Sequence, residues 1–186
     1  MLKWTFVVFW FTVAALPAQT VAGLKLNDVR TDRAVSFADY SGYKVLVMVF
    51  TTNDCPFDER YRERLFQLAR QYEGRVPFLF INSSSDPEET PAAMKALHSE
   101  IVFPAPYLED KEQAAMKIFN VRKSPECLVV RPEGQSFAVL YRGAIDDNPQ
   151  SEADVREAYL ANAIEKVLAG QPVEVSEHRP PGCSIR

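Results

Sequence analysis

The chain has 186 residues, 47% hydrophobic and 25% charged, with 21 Lys and Arg against 25 Asp and Glu for a formal net charge of −4. Such a length holds one well-buried domain and such a composition belongs to a folded protein rather than a disordered one. The mild acidity and the absence of a Lys/Arg cluster leave no electrostatic footprint for a phosphate backbone, so a nucleic-acid partner is not expected, and three Cys make no disulfide scaffold.

Lys3 is the only charge before Lys25, and the run from Trp4 to Leu16 is broken only by Thr5 and Thr12. Such a run suits a signal-peptide core and is short for a bilayer span, which takes about 20 residues. Small residues follow at Ala18 and at Ala22-Gly23, so cleavage is expected after Ala22, with Ala18 as the alternative site. An uncleaved anchor extended by Val21, Ala22 and Leu24 is the other fate, and the only route to a membrane. Either way the chain is expected to be exported, periplasmic or extracellular, where disulfides persist. The expected organisation is a leader over 1–22, a domain over 23–170 and a Pro-rich tail over 171–186.

Lys44 to Thr51 is a nearly continuous apolar run rich in β-branched residues, which predicts a central strand buried on both faces. Pro56 suits a first helical turn, and Phe57, Tyr61, Leu65, Leu68, Ala69 and Tyr72 make one helical stripe that Gly74 ends. Val76 to Asn82 predicts a second buried strand, and Glu88 to His98 a helix with Glu88-Glu89 as favourable charge in its first turn. Phe103 to Tyr107, with two prolines, is an extended connector, and Lys111 to Phe119 a short helix. Glu126 to Arg131 and Ser136 to Gly143 read as a hairpin turning at Pro132-Glu133-Gly134-Gln135. Val155, Tyr159, Leu160, Ala163, Ile164, Val167 and Leu168 predict a last helix with Ser151 as N-cap and Gly170 past its end. Gln171 to Arg186 has no periodicity and reads as a tail on the surface or over an opening. This order gives an α/β sandwich with a mixed sheet.

Chemistry gathers where the first buried strand runs into a helix. Cys55 stands at the mouth of that helix, whose free N–H groups favour a thiolate. Asp54, Asp58 and Glu59 oppose it if they point inward. The alternative is a small hydrophobe filling a strand end.

The strand ending at Thr51, the Cys55-Pro56 helix start, Phe78 to Asn82, Tyr107 to Asp110 and Ser124-Pro125-Glu126 together resemble a thioredoxin-fold redoxin. The group is that of the alkyl hydroperoxide reductase and thiol-specific antioxidant proteins. Tyr141 to Asn148 and the Gly182-Cys183-Ser184-Ile185 ending resemble an exported bacterial subgroup of it. The resemblance implies a thioredoxin-like fold, a mixed central sheet with helices on both faces, and Pro125 as a cis proline facing Cys55. Its known patterns are met only in part. Where Cys-x-x-Cys proteins carry a resolving thiol this chain has Asp58. Of the peroxidatic Pro-x-x-x-Thr-x-x-Cys pattern it keeps Thr52 and Cys55 but has Met48 in place of the proline. The expected arginine aligns with Pro125, which leaves Arg122 and Arg142 to take its part.

Cys183 offers a substitute for the missing thiol: the tail folds back so that Cys183 resolves a sulfenic acid or mixed disulfide at Cys55, or the two form a permanent bridge. Cys127, among aliphatic strand residues, reads as a buried thiol, and a Cys55–Cys127 bridge is the remaining pairing. His98 reads as a helix end rather than a partner for Cys55, and Asp146-Asp147-Asn148 as a turn rather than a cation site. No phosphate loop, nucleotide fingerprint, zinc spacing or c-type haem motif is present, so no cofactor or metal is expected. Two functions follow. One is an exported thiol oxidoreductase acting on a peroxide or protein disulfide, with Cys55, Thr52, Pro125 and Cys183 as its site and an external thiol as reductant. The other is a non-catalytic binding module with a structural Cys55–Cys183 disulfide.

Overall fold

The computed structural model describes residues 21–186, and the expected leader segment lies outside them through residue 20. Among the described residues no helix is long and apolar enough to cross a membrane. The strands are β1 (Lys25–Asp28), β2 (Arg33–Ser36), β3 (Leu46–Phe50), β4 (Phe78–Asn82), β5 (Tyr107–Glu109), β6 (Lys123–Ser124), β7 (Glu126–Glu133), β8 (Ser136–Gly143), β9 (Glu177–His178) and β10 (Cys183–Ser184). The helices are α1 (Pro56–Gln71), α2 (Pro91–Ile101), α3 (Ala114–Phe119) and α4 (Tyr159–Leu168). Eight strands form one mixed sheet in the order β2-β1-β5-β4-β3-β7-β8-β9, and β10 pairs with β6 apart from it.

The run read as a central strand is β3, parallel to β4 and antiparallel to β7. Its period of two divides the core. Val47 and Val49 join Tyr61, Leu65 and Phe66 of α1 and Leu160 and Ile164 of α4 on one face. Leu46, Met48 and Phe50 join Phe37 and the α3 residues Ala115 and Phe119 on the other. With both faces covered, β3 can deliver its C-terminal end, Thr51 to Cys55, only at the rim of the sheet. The mixed α/β fold with helices on both faces is therefore observed.

Several elements depart from expectation. The β1–β2 hairpin was not legible, because its strands are short and only Leu26 and Asp28 are buried, with Asn27, Val35 and Ser36 partly so. β5 occupies the end of the proline connector. α2 begins at Pro91 rather than Glu88: Thr90 caps it, its hydroxyl accepting from the Ala93 N–H at 3.2 Å, and Pro91 fills the first helical position. α3 starts late, at Ala114, because the Asp110 carboxylate accepts the N–H groups of Ala115 and Met116, each at 3.1 Å. α4 also starts late, at Tyr159: the Asp147 carboxylate takes the Arg156 and Glu157 N–H groups at 3.0 and 3.2 Å and holds that stretch out of the helix. Ser151 instead precedes a short 3-10 turn, Glu152–Asp154. The tail is not featureless, since it supplies β9 along β8 and β10 along β6.

Candidate functional site

Cys55 is the N-cap of α1, with an extended backbone (φ −79°, ψ 121°) and Pro56 next in the chain. β3 must turn outward once its core-facing residues end, and the proline both starts the helix and gives up no needed N–H. Cys55 is buried, and its Sγ is bonded to that of Cys183, with the two Cα atoms 5.9 Å apart. The pairing with Cys127 is thereby excluded: Cys127 is a free, fully buried thiol on β7, and burial pushes its pKa well up. The Ser124–Pro125 peptide is cis, and the Ser124 carbonyl oxygen lies 3.2 Å from the Cys55 sulfur.

Asp58 sits where a second active-site thiol would stand, and it points inward, 2% exposed. Its carboxylate accepts from the Thr51 hydroxyl at 2.6 Å, the Thr52 N–H at 3.3 Å, the Thr52 hydroxyl at 3.4 Å and, closest of all, the Ser124 hydroxyl. Burial pushes its pKa up to about 6 against the pull of those bonds. One carboxylate thus ties the end of β3, the first turn of α1 and the loop before Pro125 together. Thr52 is part of that knot, since its hydroxyl also accepts from Ser124 at 3.2 Å.

A second buried carboxylate was missed in sequence. Glu89, expected as favourable charge in the first turn of α2, lies before that helix, is 6% exposed and accepts the N–H groups of Asn53 at 2.9 Å and Asp54 at 3.4 Å. It also takes the Asn82 amide at 2.5 Å, while the Tyr107 hydroxyl donates to Asn53 Oδ1 at 2.6 Å. The loop leading into Cys55 is therefore braced from β4, β5 and the approach to α2. The usable signal was Thr90-Pro91, a capped helix start that leaves Glu89 outside the helix.

The tail closes the site. Cys183 pairs opposite Ser124 and Ser184 opposite Lys123. Beyond them the Ile185 N–H donates to the Arg122 carbonyl at 3.1 Å, and the Arg186 carbonyl accepts from the Ser85 N–H at 2.6 Å. Cys183 is half-buried. Beside the disulfide lies an open cavity of about 380 Å³ whose walls include Thr52, Asp54, Glu89, Asp86 and Arg186.

The remaining candidates lie elsewhere. Arg142 donates to the Phe119 carbonyl at 2.6 Å, and neither it nor Arg122 lines this cavity. His98 caps α2, its Nδ1 accepting the Phe103 N–H at 3.0 Å, and burial lowers its pKa. Asp146 accepts from the Tyr61 hydroxyl at 2.9 Å and pairs with Arg64 at 2.8 Å. Among the described residues no group of three or more His, Cys, Asp or Glu side chains could hold a metal ion. The arrangement offers instead a disulfide whose two sulfurs sit in different settings. One sulfur is fixed at the N-terminus of α1, with the inward-facing Asp58 in the same first turn, and the other is carried on the short strand β10.

Comparison with known proteins bears on that chemistry. The AhpC/TSA family model matches residues 17–145. A hypothetical protein from Sinorhizobium meliloti is 29% identical, with a TM-score of 0.78 over 89% of this chain and 91% of that one. An uncharacterized conserved protein from Geobacillus kaustophilus is also 29% identical, with a TM-score of 0.77 over 90% of each chain. A secreted disulfide oxidoreductase from Mycobacterium tuberculosis is 22% identical, with a TM-score of 0.53 over 64% of this chain and 85% of that one. That last likeness shows the fold alone, which is thioredoxin-like. No curated protein matches the sequence.

Proposed function

The chain belongs to the AhpC/TSA family of thioredoxin-fold redoxins, and from that premise we propose that it is an exported thiol–disulfide oxidoreductase whose redox couple is Cys55 and Cys183. One observation carries the reading: a buried cysteine at the N-cap of α1 is bonded to a half-exposed cysteine on an edge strand, beside an open cavity. A disulfide placed so that thiols can reach it is poised for exchange.

The cycle needs only these two sulfurs and an external dithiol. In the reduced protein the Cys55 thiolate attacks a substrate disulfide, a mixed disulfide forms, and the departing substrate sulfur takes a proton. The Cys183 thiolate then attacks Cys55 Sγ, which closes the bridge and releases the second substrate thiolate. Two electrons have passed from the protein to the substrate, and the external dithiol restores them by the reverse exchange. Pro125 and Ser124 form the wall against which the substrate cysteine would lie. AhpC/TSA redoxins act on peroxides as well as disulfides, but two features favour the disulfide here. The Thr52 hydroxyl is engaged by Asp58 and Ser124, and the Arg142 guanidinium is held on the Phe119 carbonyl. Export is supported by the apolar run from Trp4 to Leu16 after the single charge at Lys3.

Thiol trapping with peptide mass spectrometry across a series of dithiol redox buffers tests the reading. Cys55 and Cys183 are expected to interconvert reversibly while the fold stays intact, and Cys55→Ser to abolish reduction of a disulfide substrate. A bridge that opens only on unfolding would make the pair structural, and the chain a non-catalytic binding module in which Asp58 has replaced the second thiol for good.

A further inference from the structure

Residues 182–186 lie across the site as a polypeptide substrate would. Its Cys183–Ser184 strand is antiparallel to β6, which has no other strand partner among the described residues, and the Ile185 N–H reaches on to the Arg122 carbonyl. Lys123 holds it from the side, its ammonium donating to the Gly182 carbonyl at 3.3 Å. Two positions of the segment are selective. A Cβ on Gly182 would lie 2.4 Å from the Ser124 carbonyl oxygen and 2.9 Å from its carbon, so only a residue without a side chain fits before the cysteine. Ile185, two residues after the cysteine, packs against the apolar cluster on the α3 face.

Resting on the redox reading above, we propose that this segment is an internal stand-in for the substrate. A partner protein's extended segment of the form Gly-Cys-x-aliphatic docks on the same edge, in the same register, once the Cys55–Cys183 bridge is reduced and the tail withdraws. Cys55 attacks that cysteine in its disulfide, forming the mixed disulfide and expelling the other sulfur as a thiolate. The tail then competes for β6. As Cys183 attacks Cys55 Sγ, its own strand retakes the edge, so resolution and product release become one event. The chain's ending is on this account a record of what the site selects.

The probe is the capped hexapeptide Pro-Gly-Cys-Ser-Ile-Arg carried as a mixed disulfide with thionitrobenzoate, whose release is coloured. It is reacted with the reduced wild-type protein and with the reduced Cys183→Ser variant, beside peptides with Ala for the Gly or Asp for the Ile. The Ala peptide is expected to react at least about tenfold more slowly because its methyl group overpacks against the carbonyl. The Asp peptide is slowed comparably by placing a charge on an apolar seat. Equal rates for all three peptides would overturn the proposal and leave the redox reading standing. No reaction of Cys55 with any of them, or with the symmetrical thionitrobenzoate disulfide, would overturn both. Within the chain, Gly182→Ala is expected to weaken the Cys55–Cys183 bond about tenfold in its equilibrium constant against a dithiol buffer, from the same steric cost. An unchanged constant would sink the selection at that position.

Discussion

Cys55 stands at a corner made by its own neighbours in the chain, whereas Cys183, 128 residues further on, is held by backbone groups of distant segments. Thr51, Thr52 and Asp58 lie within seven residues of one another and bond directly, so the first sulfur's corner starts from local bonds, which Glu89 and Ser124 then brace from further along the chain. The second sulfur depends on β6, on the Arg122 carbonyl and on the Ser85 N–H. The difference suits a redox couple in which one member stays and the other moves. On the cycle proposed above, the nucleophile would keep its helix-terminus environment throughout, while its partner would leave the edge to admit a substrate and return to release it.

Removing either sulfur gives the largest expected effect and probes that asymmetry directly. Cys55→Ser and Cys183→Ser each open a loop spanning 128 residues, and the chain-entropy estimate puts the loss of stability at no more than about 4–5 kcal/mol. Amide exchange should distinguish the two regions. In either variant the Ile185 N–H loses protection, while the Glu59 N–H, bonded to the Cys55 carbonyl at 3.2 Å, keeps it. Equal loss at both amides would mean that the disulfide, and not the local network, holds the corner.

Asp58 is expected to have the next largest effect, and its sign is set by pH. Its pKa is raised in the folded state, from an ordinary 3.8 to about 6, so the folded protein binds this proton more tightly than the unfolded chain. The stability it contributes is full below about pH 4 and is lost as the pH rises through about 6. A separation of about 2 between the two pKa values corresponds to about 3 kcal/mol. Denaturant titrations of wild type and Asp58→Asn at pH 4 and pH 7.5 should therefore show the wild type losing roughly that much relative to the variant. A constant difference between the two proteins would mean that Asp58 does not titrate in the folded state.

The contrast between the two regions also explains what could be read beforehand. The β3–α1 corner was legible because its signals are local: a continuous apolar run, a proline at a helix start and a stripe of period 3.6. The tail was not, because β9 and β10 have two residues each and no periodicity of their own; they exist only by pairing with β8 and β6. Asp58 opposes a thiolate only if it points inward, and nothing local reveals that Ser124 crosses over to meet it. The resemblance carried Pro125 and placed Cys183 as a possible partner. The choice between a Cys183 and a Cys127 bridge rested on geometry that only the folded chain supplies.

Glu89 offers a smaller effect that bears on the Cys55 side of the comparison, which it braces from 36 residues along the chain. Its carboxylate accepts from two backbone N–H groups and the Asn82 amide in a buried setting, and Glu89→Ala leaves those donors unpaired. The expected cost is about 1–3 kcal/mol. Because the loop braced is Asn53-Asp54, the rate of Cys55 alkylation in the reduced protein should change as well. Lost stability with an unaltered Cys55 rate would confine Glu89 to structure.

The smallest effect belongs to the third cysteine, and its smallness is the point. Cys127 is fully buried opposite Val49, with burial holding its thiol well above the ordinary range and Asp58 adding to the rise. A thiol so disfavoured as a thiolate cannot attack Cys55 or intercept a mixed disulfide. Cys127→Ala removes one buried sulfur and should cost about 1 kcal/mol, less than a larger side chain would on truncation. The position of the Cys55–Cys183 equilibrium against a dithiol buffer should not move. A shift in that equilibrium, or a trapped Cys55–Cys127 species in the Cys183→Ser variant, would show that the corner around Cys55 opens far enough to expose β7. The fixed member of the couple would then be mobile after all.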